Sequence, residues 1–340
     1  MQNNVVVDQS VVEQVERDKW KIILHKLVKD WRLYVLLVPM FLFLIFFKYF
    51  PIGGILTGFK WGSDTEIVLN QQWCGLHWFM EIFSGDYSMQ FWRAFRNTFV
   101  NSMYGLIFGF PIPIFIALLF SEIKNVKYRS VLQVCVYLPH FVSIVVVTTI
   151  IALWCEGTNG GHPGWLYSLV NSMGIHDSPD SILTSPKFFR PIYQISGVWE
   201  GAGYGSIVYF AAILAISPTS YEAARIDGAT KSQQIRYITL PGMAPTLTIM
   251  LIMRIGQILN IGYEKIILLI GDKPDAYETG DVVSTLVYRM SGRADSSSTD
   301  GSTPVPQIGI VADLFNAIIA MCLVLGANAI SRRVSSTSLF

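Results

Sequence analysis

Four polar residues recur at helical spacing inside one of the most apolar parts of the sequence. They are Arg254, Gln257, Asn260 and Glu264, and successive members are three, three and four residues apart. At about 100° per residue they would share one arc of about 120° on a helix. Charged and amide groups at membrane depth are costly and usually have a function. The spacing therefore predicts a polar stripe that faces a cavity or a partner helix and hydrogen-bonds to whatever lies there.

A second set of polar groups lies in the preceding apolar segment. Glu200 and Tyr204 are four residues apart and share a helix face, beside the small residue Gly201. Two arrangements fit the sequence. Either both sets face a solute, or Glu200 pairs with Arg254 and the two sets bond other helices. Arg254 is compatible with an acidic solute, although an arginine that is already paired does not establish one.

The elements that must position these groups are apolar helices. Hydrophobic residues make up 52% of the 340 residues and charged residues only 14%, against about 25% charged residues in a soluble domain. Spanning a membrane takes about 20 mostly apolar residues. The sequence predicts an all-α membrane protein with six transmembrane helices, at 33–59, 97–120, 130–154, 192–216, 246–271 and 308–331.

Lysine and arginine counts give the orientation of these spans. With the N-terminus in the cytoplasm, the inner segments hold 14 lysines and arginines and the longer outer segments hold eight. Basic residues favour the cytoplasmic side, so both termini are expected there. The net charge of +1 gives no global field for nucleic acid, and no such partner is expected.

The N-terminal segment 1–32 places apolar and basic residues at helical spacing. This pattern predicts an amphipathic tail that lies on the lipid of the inner leaflet. The first ten residues have no basic region leading into an apolar core, so a cleaved signal peptide is not expected.

The polar segment 217–241 separates the fourth and fifth predicted spans and carries its own helix signals. Ser217 and the proline after it suit the start of a helix, and Gly228 suits a left-handed turn at its end. Thr230 suits the cap of a second short helix, which Pro241 is expected to end. The segment therefore predicts a helix-turn-helix under the membrane.

This helix-turn-helix carries groups that suit a protein partner. Small Ala223, Ala224 and Ala229 allow close approach, while Glu222 and Asp227 offer fixed negative charge to a basic side chain such as arginine. An ordinary capped loop without a partner is the alternative.

No residue pattern indicates covalent chemistry on the chain itself. Lys231-Ser232 follows Thr230 rather than the glycine of a phosphate-binding loop. The five histidines and four cysteines form no metal-ligand or redox spacing, and no serine-hydrolase elbow with matching partners occurs. We therefore expect no enzyme activity, metal or cofactor on this chain, so that any energy must come from another chain.

The polar segment also carries a longer spaced pattern. It reads Glu-Ala-Ala, three residues, Gly, nine residues, Ile, one residue and Leu-Pro. The matching residues are Glu222, Ala223, Ala224, Gly228, Ile238, Leu240 and Pro241, with Asp227 and Ala229 fitting a fuller version. This pattern resembles the cytoplasmic EAA motif of MetI-like permeases in binding-protein-dependent ABC importers.

Neighbouring residues narrow the resemblance to the sugar branch of that family, and within it to LplB-like polysaccharide permeases. The features are Trp199-Glu200-Gly201-Ala202-Gly203-Tyr204 before the segment, and Ala244-Pro245 with Gly256, Asn260 and Gly262 after Pro241. One departure is Ile235, where many relatives have an aromatic residue.

The resemblance implies a coupling helix at residues 218–228 that docks on an ATPase subunit. The implied coupling residues are Tyr221, Glu222, Ala223, Ala224, Asp227, Gly228 and Ala229. It also implies a second homologous permease, commonly a different chain, two ATPase subunits that hold ATP and Mg²⁺, and an extracytoplasmic solute-binding protein. The implied location is the bacterial cytoplasmic membrane.

The resemblance also implies a division of the chain. Its parts are a tail 1–32, a first helix with its outer loop 33–96, a five-helix permease core 97–331 that contains the coupling loop 217–241, and a C-terminal tail 332–340.

An oligosaccharide or polysaccharide fragment is the cargo that the resemblance implies. Gly201 and Tyr204 fall where maltose permeases place sugar-contacting residues. The implied substrate pathway consists of Glu200, Gly201, Tyr204, Arg254, Gln257 and Asn260. A non-sugar solute is the first alternative. An ion-coupled carrier is the second, although the sequence has no clear inverted repeat of the kind such carriers use.

Overall fold

The structure is a computed structural model in which the chain forms two compact units, residues 1–56 and 57–340. The described residues are 21, 25, 28–62, 71–175, 178–271, 276–292 and 304–334. Most of the predicted amphipathic tail 1–32 and most of the C-terminal tail 332–340 lie outside the described residues.

Helices make up most of the described chain. In order, the α-helices are α1 Trp31–Leu44, α2 His77–Ser84, α3 Ser88–Gly109, α4 Pro111–Glu122, α5 Val126–Tyr137, α6 Ile144–Cys155, α7 Trp165–Ser172, α8 Pro186–Leu214, α9 Pro218–Ile226, α10 Lys231–Gln234, α11 Leu240–Gly256, α12 Tyr263–Ile270, α13 Tyr277–Gly280, α14 Val283–Met290 and α15 Pro306–Val334. The 3₁₀-helices are Phe50–Phe59, Leu138–Phe141, Thr158–Gly160 and Ile182–Thr184, and the π-helical turns are Ile45–Tyr49 and Ile235–Thr239. Two short strands, β1 Lys60–Trp61 and β2 Gln72–Trp73, pair antiparallel with Lys60 opposite Trp73.

The first unit holds one apolar helical run. α1 continues through the π-helical turn into the 3₁₀-helix Phe50–Phe59, whose last residues begin the second unit. No residue from Trp31 to Tyr49 is buried. A helix that is apolar all round and unburied is suited to lipid, in agreement with the first predicted span.

Four described helical runs are long and apolar enough to cross a membrane, and the number rises to six if each of two bent pairs is one span. The four are Trp31–Phe59, Ser88–Glu122, Lys231–Gly256 and Pro306–Arg333. The pairs are Val126–Phe141 with Ile144–Cys155, bent by 86°, and Pro186–Leu214 with Pro218–Ile226, bent by 69°. The predicted helical fold is thus confirmed, with at least four candidate membrane spans among the described residues.

The fifth span differs from the prediction of 246–271. The long helix is Lys231–Gly256 instead, and α12 is separate from it. Pro241 does not end a helix, because the π-helical turn Ile235–Thr239 lies directly before it and carries the helix onward. In a π-helical turn each N–H donates to the carbonyl oxygen five residues earlier, as the N–H of Leu240 does to Ile235. Pro241 has no N–H to donate, so it follows this turn without breaking the helix.

The first half of the predicted helix-turn-helix is confirmed. α9 is followed by a left-handed residue at Gly228, whose φ is +76°. The N–H of Ala229 donates to the carbonyl oxygen of Ala224 at 2.8 Å, which closes the turn. Thr230 and Gln233 then form a reciprocal capping box at the start of α10.

α8 packs against several other helices of the second unit. Its Tyr209 and Ile213 form a buried cluster with Ala117 of α4 and Met243 of α11. On another face, a Cβ atom added to Gly203 would lie 2.1 Å from the carbonyl oxygen of Val136 in α5. α8 is therefore held between α4, α5 and α11, and this packing fixes one wall of the site described next.

Candidate functional site

The helical backbone is interrupted between α11 and α12, at residues 257–262. The prediction of a single helical stripe through 246–271 is therefore wrong. Side chains satisfy two of the carbonyl groups that the break frees: Asn316 Nδ2 donates to Leu259 O at 2.9 Å, and Ser284 Oγ donates to Ile261 O. Irregular backbone at membrane depth is tolerated where it is buried in protein or lines a cavity.

The break does line a cavity, whose volume is about 470 Å³. Its walls come from α3, α4, α8, α11 and α12. Three members of the predicted stripe, Arg254, Gln257 and Asn260, line it together. Small-molecule sites typically have volumes of roughly 300–1,000 Å³, so the cavity can hold a sugar-sized polar solute.

Glycines form the wall that α8 gives to this cavity. Gly197, Gly201 and Gly205 are four residues apart, share one helix face and all line the cavity. A Cβ atom added to Gly201 would meet nothing within 4 Å. The sequence-predicted Gly201 therefore contributes open space rather than a binding group.

An ion pair lies at the edge of the cavity. Lys265 Nζ of α12 is 3.0 Å from Glu200 Oε2 of α8, and their side chains are 9% and 22% exposed. Glu200 therefore pairs with Lys265, and the alternative pair with Arg254 is not formed. Arg254 Nη2 instead donates to the backbone oxygen of Gly105 in α3 at 3.4 Å.

Two buried polar side chains of α3 face the same cavity. Asn101 and Ser102 are 2% and 7% exposed and both line it. Neither the amide atoms of Asn101 nor the hydroxyl of Ser102 has a hydrogen-bond partner among the described residues. A buried polar group without a partner is destabilising, so a ligand or water at this place would satisfy both.

Lys265, Asn101 and Ser102 were missed by the sequence analysis. Lys265 directly precedes an apolar run, and a charged residue in that position could have indicated a site in the sequence. Asn101 lies four residues after Asn97 in the second predicted span, and this helical repeat of amides was a second available signal.

Glu200, Tyr204 and Glu264, three of the sequence-predicted polar residues, are not among the residues that line the cavity. The Tyr204 ring stacks on the imidazole of His140, with centroids 4.1 Å apart and planes 12° apart, and meets the edge of Phe141. Glu264 is exposed, because α12 starts with a new rotational phase after the break and turns Lys265 inward. A sugar contact by Tyr204 stays a prediction.

The second feature of the site is α9, which has no buried residue. Glu222 and Asp227 are exposed and have no ion-pair partner among the described residues, and Ile226 is 87% exposed. Tyr221 is held differently, since its hydroxyl lies 3.0 Å from that of Thr239. α9 therefore presents charged side chains and one apolar side chain on the surface of the second unit.

The segment that follows α9 is joined to the rest of the second unit. Lys231 Nζ lies 2.6 Å from Glu122 Oε2 at the end of α4. Together with the Tyr221–Thr239 contact, this ion pair connects the exposed helix to α4 and to the long helix that contains Arg254. These two contacts are the described side-chain links from this segment to α4 and to the long helix.

Known proteins are similar in sequence to this chain along most of its length. The family described as "binding-protein-dependent transport system inner membrane component" matches residues 109–336. Protein LplB of Bacillus subtilis (strain 168) is 31% identical, over 96% of this chain and 92% of its own length. The polygalacturonan/rhamnogalacturonan transport system permease protein YteP of the same strain is 29% identical, over 96% and 95%.

Solved structures of transporters of this kind are also similar to this chain in fold. A chain of a bacterial ABC transporter involved in the import of the acidic polysaccharide alginate is 37% identical, with a TM-score of 0.77, over 92% of this chain and 99% of that chain. A second structure of the alginate transporter, in complex with an alginate pentasaccharide-bound periplasmic protein, gives 37% and 0.77 over 93% and 99%.

The family match covers the cavity residues of α8 and α11, the exposed α9 and the EAA motif in one stretch, 109–336. The chain therefore belongs to the binding-protein-dependent inner membrane components, which are the membrane permease subunits of ABC importers rather than enzymes.

Proposed function

We propose that this permease imports oligosaccharides or polysaccharide fragments at the expense of ATP hydrolysed on separate subunits. The relatives that support this cargo are the permease of a polygalacturonan/rhamnogalacturonan transport system and a transporter involved in alginate import. The observation that carries the proposal is the cavity lined by Arg254, Gln257 and Asn260, because it offers several hydrogen-bonding groups inside the helical unit. Sugar hydroxyls both donate and accept hydrogen bonds, so these groups suit them.

In this proposal α9 is the coupling helix. Glu222 and Asp227 would meet basic side chains of an ATPase subunit, and Ile226 would be covered by the same contact. ATP and Mg²⁺ belong to the two ATPase subunits, whose closure would move α9. The contacts of Tyr221 with Thr239 and of Lys231 with Glu122 would pass that movement to the spans.

The assembly would contain a second homologous permease and an extracytoplasmic solute-binding protein that delivers the cargo. The complex of the alginate transporter with its periplasmic protein supports this partner. We place all six predicted spans in the membrane with both termini in the cytoplasm, as the lysine and arginine counts favour. The tail 1–32 would then lie on the inner leaflet.

Reconstitution tests the coupling role of Glu222. The permease is assembled with its partner permease, ATPase subunits and binding protein in liposomes, and ATP-driven uptake and ATPase activity are measured together. Glu222→Ala is expected to lower both uptake and the stimulation of ATPase activity by the binding protein at least fivefold, because it removes a charged contact worth about 1.5–3 kcal/mol. Ile226→Ala should act in the same direction.

Lys127→Ala is the matched control, since Lys127 is exposed in another predicted cytoplasmic turn. Wild-type uptake and wild-type stimulation in both Glu222→Ala and Ile226→Ala would contradict the assignment of α9 as the coupling helix. No ATP-driven sugar uptake by the wild-type assembly would contradict the proposed function itself.

A further inference from the structure

A second concave surface lies between residues 186–199 of α8 and residues 104–112 of α3 and α4, and we call it the α3–α8 groove. Its volume is about 710 Å³. Gln194 and Val198 of α8 line both this groove and the cavity described above. None of the predicted substrate-pathway residues lines the groove. The groove is therefore a separate surface of the second unit, and the transport proposal leaves it without a role.

Apolar side chains line most of the length of this groove. Ile195 and Trp199 of α8 are exposed in it. Tyr104 and Phe108 of α3 line its other side, where their rings stack with centroids 6.3 Å apart. From Lys187 to Trp199 the helix rises about 18 Å, close to the depth of one membrane leaflet, about 15 Å. The groove is thus long enough for one lipid acyl chain.

Basic side chains lie at the end of the groove where α8 begins. Lys187 and Arg190 both line it and are about 4.5 Å apart along the helix axis. Neither has an ion-pair partner among the described residues. Nη2 of Arg190 donates to Asn97 Oδ1 at 2.7 Å, but its Nε is buried and has no hydrogen-bond partner in the described part of the chain. This end of the groove therefore has unused capacity for an anion.

The charges around Arg190 leave this end positive. Arg96, which directly precedes Asn97 in α3, and Glu278 both act electrostatically on Arg190. Glu278 is exposed and forms no ion pair within the described ranges. With Lys187, the group consists of three cations and one carboxylate. Basic pockets between membrane helices attract anionic lipid headgroups.

We infer that the α3–α8 groove binds one anionic phospholipid of the outer leaflet. Lys187 and Arg190 would hold its phosphate through charged hydrogen bonds, and an acyl chain would lie between Tyr104 and Trp199. An apolar helix of the second permease would cover only the apolar part and leave the basic end unmatched. The leaflet follows from the proposed orientation, which places residues 155–191 outside. The site goes beyond the proposed function and does not depend on the cargo.

Fluorescence quenching of Trp199 in the assembled, detergent-solubilised importer tests this site. The two probes are phosphatidylglycerol, which is anionic, and phosphatidylcholine, which is neutral overall, both with brominated acyl chains that quench a tryptophan they contact. The part of the quenching that is absent in Trp199→Phe reports the groove. Half-maximal quenching should need about fivefold less phosphatidylglycerol than phosphatidylcholine, and higher ionic strength should reduce this preference.

Two charge variants locate the headgroup. Lys187→Gln combined with Arg190→Gln should weaken phosphatidylglycerol binding at least tenfold and remove the preference, since each cation near the membrane surface contributes roughly fivefold. Lys124→Gln combined with Lys127→Gln is the matched control, because it removes two exposed lysines that do not line the groove. This control should keep the wild-type affinity and the wild-type preference.

Equal quenching of Trp199 by the two probes in wild type would overturn the inference, because the groove would then meet bulk lipid without selecting it. Absence of quenching by either probe would also overturn it and would leave a helix of the second permease as the occupant. An equal loss in the Lys124 and Lys127 control would assign the attraction to general surface charge instead. If Arg190→Gln fails to assemble, Lys187→Glu decides: it changes an exposed residue and should weaken phosphatidylglycerol about tenfold while phosphatidylcholine is unaffected.

Discussion

The ion pair between Lys265 and Glu200 joins the helix that follows the backbone break to α8. Lys265 is in the first turn of α12, directly after the break, and Glu200 is in the middle of α8. With side chains only 9% and 22% exposed, each charge depends on the other for much of its solvation. The pair therefore joins the two helices at the cavity, and Arg254 is not part of it.

Removing one charge of this pair should destabilise the protein more than removing both. Glu200→Gln alone leaves a buried ammonium and is expected to cost about 2–3 kcal/mol of unfolding free energy. Lys265→Met in the same chain should recover at least half of that loss. Thermal unfolding in nanodiscs of both single variants and the double variant measures the coupling, and strictly additive effects would contradict a direct pair.

The sequence predicted Arg254, Gln257 and Asn260 as a set, and the structure places all three on one cavity. The reason given for the set was wrong, since these residues do not share a continuous helix. A break resets the rotational phase of the helix that follows, and spacing alone cannot show where it resets. That is why the pattern chose Glu264, whereas the structure turns its neighbour Lys265 inward.

At the scale of elements, glycines affect the packing of α8 in two different ways. Gly203 permits contact with α5, while Gly201, two residues earlier, leaves open space at the cavity. Local sequence does not distinguish the two glycines, because the difference depends on which helix lies opposite. The EAA segment was easier to predict, since the turn at Gly228 and the capping box at Thr230 follow from neighbours in the chain.

Alanine at these two glycines should therefore have opposite effects. Gly203→Ala is expected to lower stability by about 1–3 kcal/mol, since its Cβ would lie 2.1 Å from Val136 O and force α8 and α5 apart. Gly201→Ala meets nothing within 4 Å and should raise stability by up to about 1 kcal/mol through helix propensity. Chemical unfolding of both variants in detergent is the measurement, and equal effects would contradict the packing of α8 described above.

At the scale of the whole molecule, the cavity and α9, the proposed coupling helix, belong to one compact unit, residues 57–340. Long helices connect them: α8 runs from the cavity to the start of α9, and Lys231–Gly256 runs from the coupling segment back to Arg254. Rigid helices of this length can carry a displacement from one end to the other. The proposed transport cycle needs that connection, because the chain has no phosphate-binding loop of its own.

The central claim is that cargo crosses through the cavity at Gly201, and filling that space tests it most directly. Gly201→Leu adds an apolar side chain where nothing lies within 4 Å of the new Cβ, and Gly326→Leu is the control, a helical glycine with equally open surroundings that does not line the cavity. ATP-driven sugar uptake by the complete reconstituted importer is measured for both variants, with assembly verified. We predict at least a tenfold loss of uptake in Gly201→Leu and near wild-type uptake in Gly326→Leu. Wild-type uptake in Gly201→Leu would contradict the assignment of this cavity as the transport pathway.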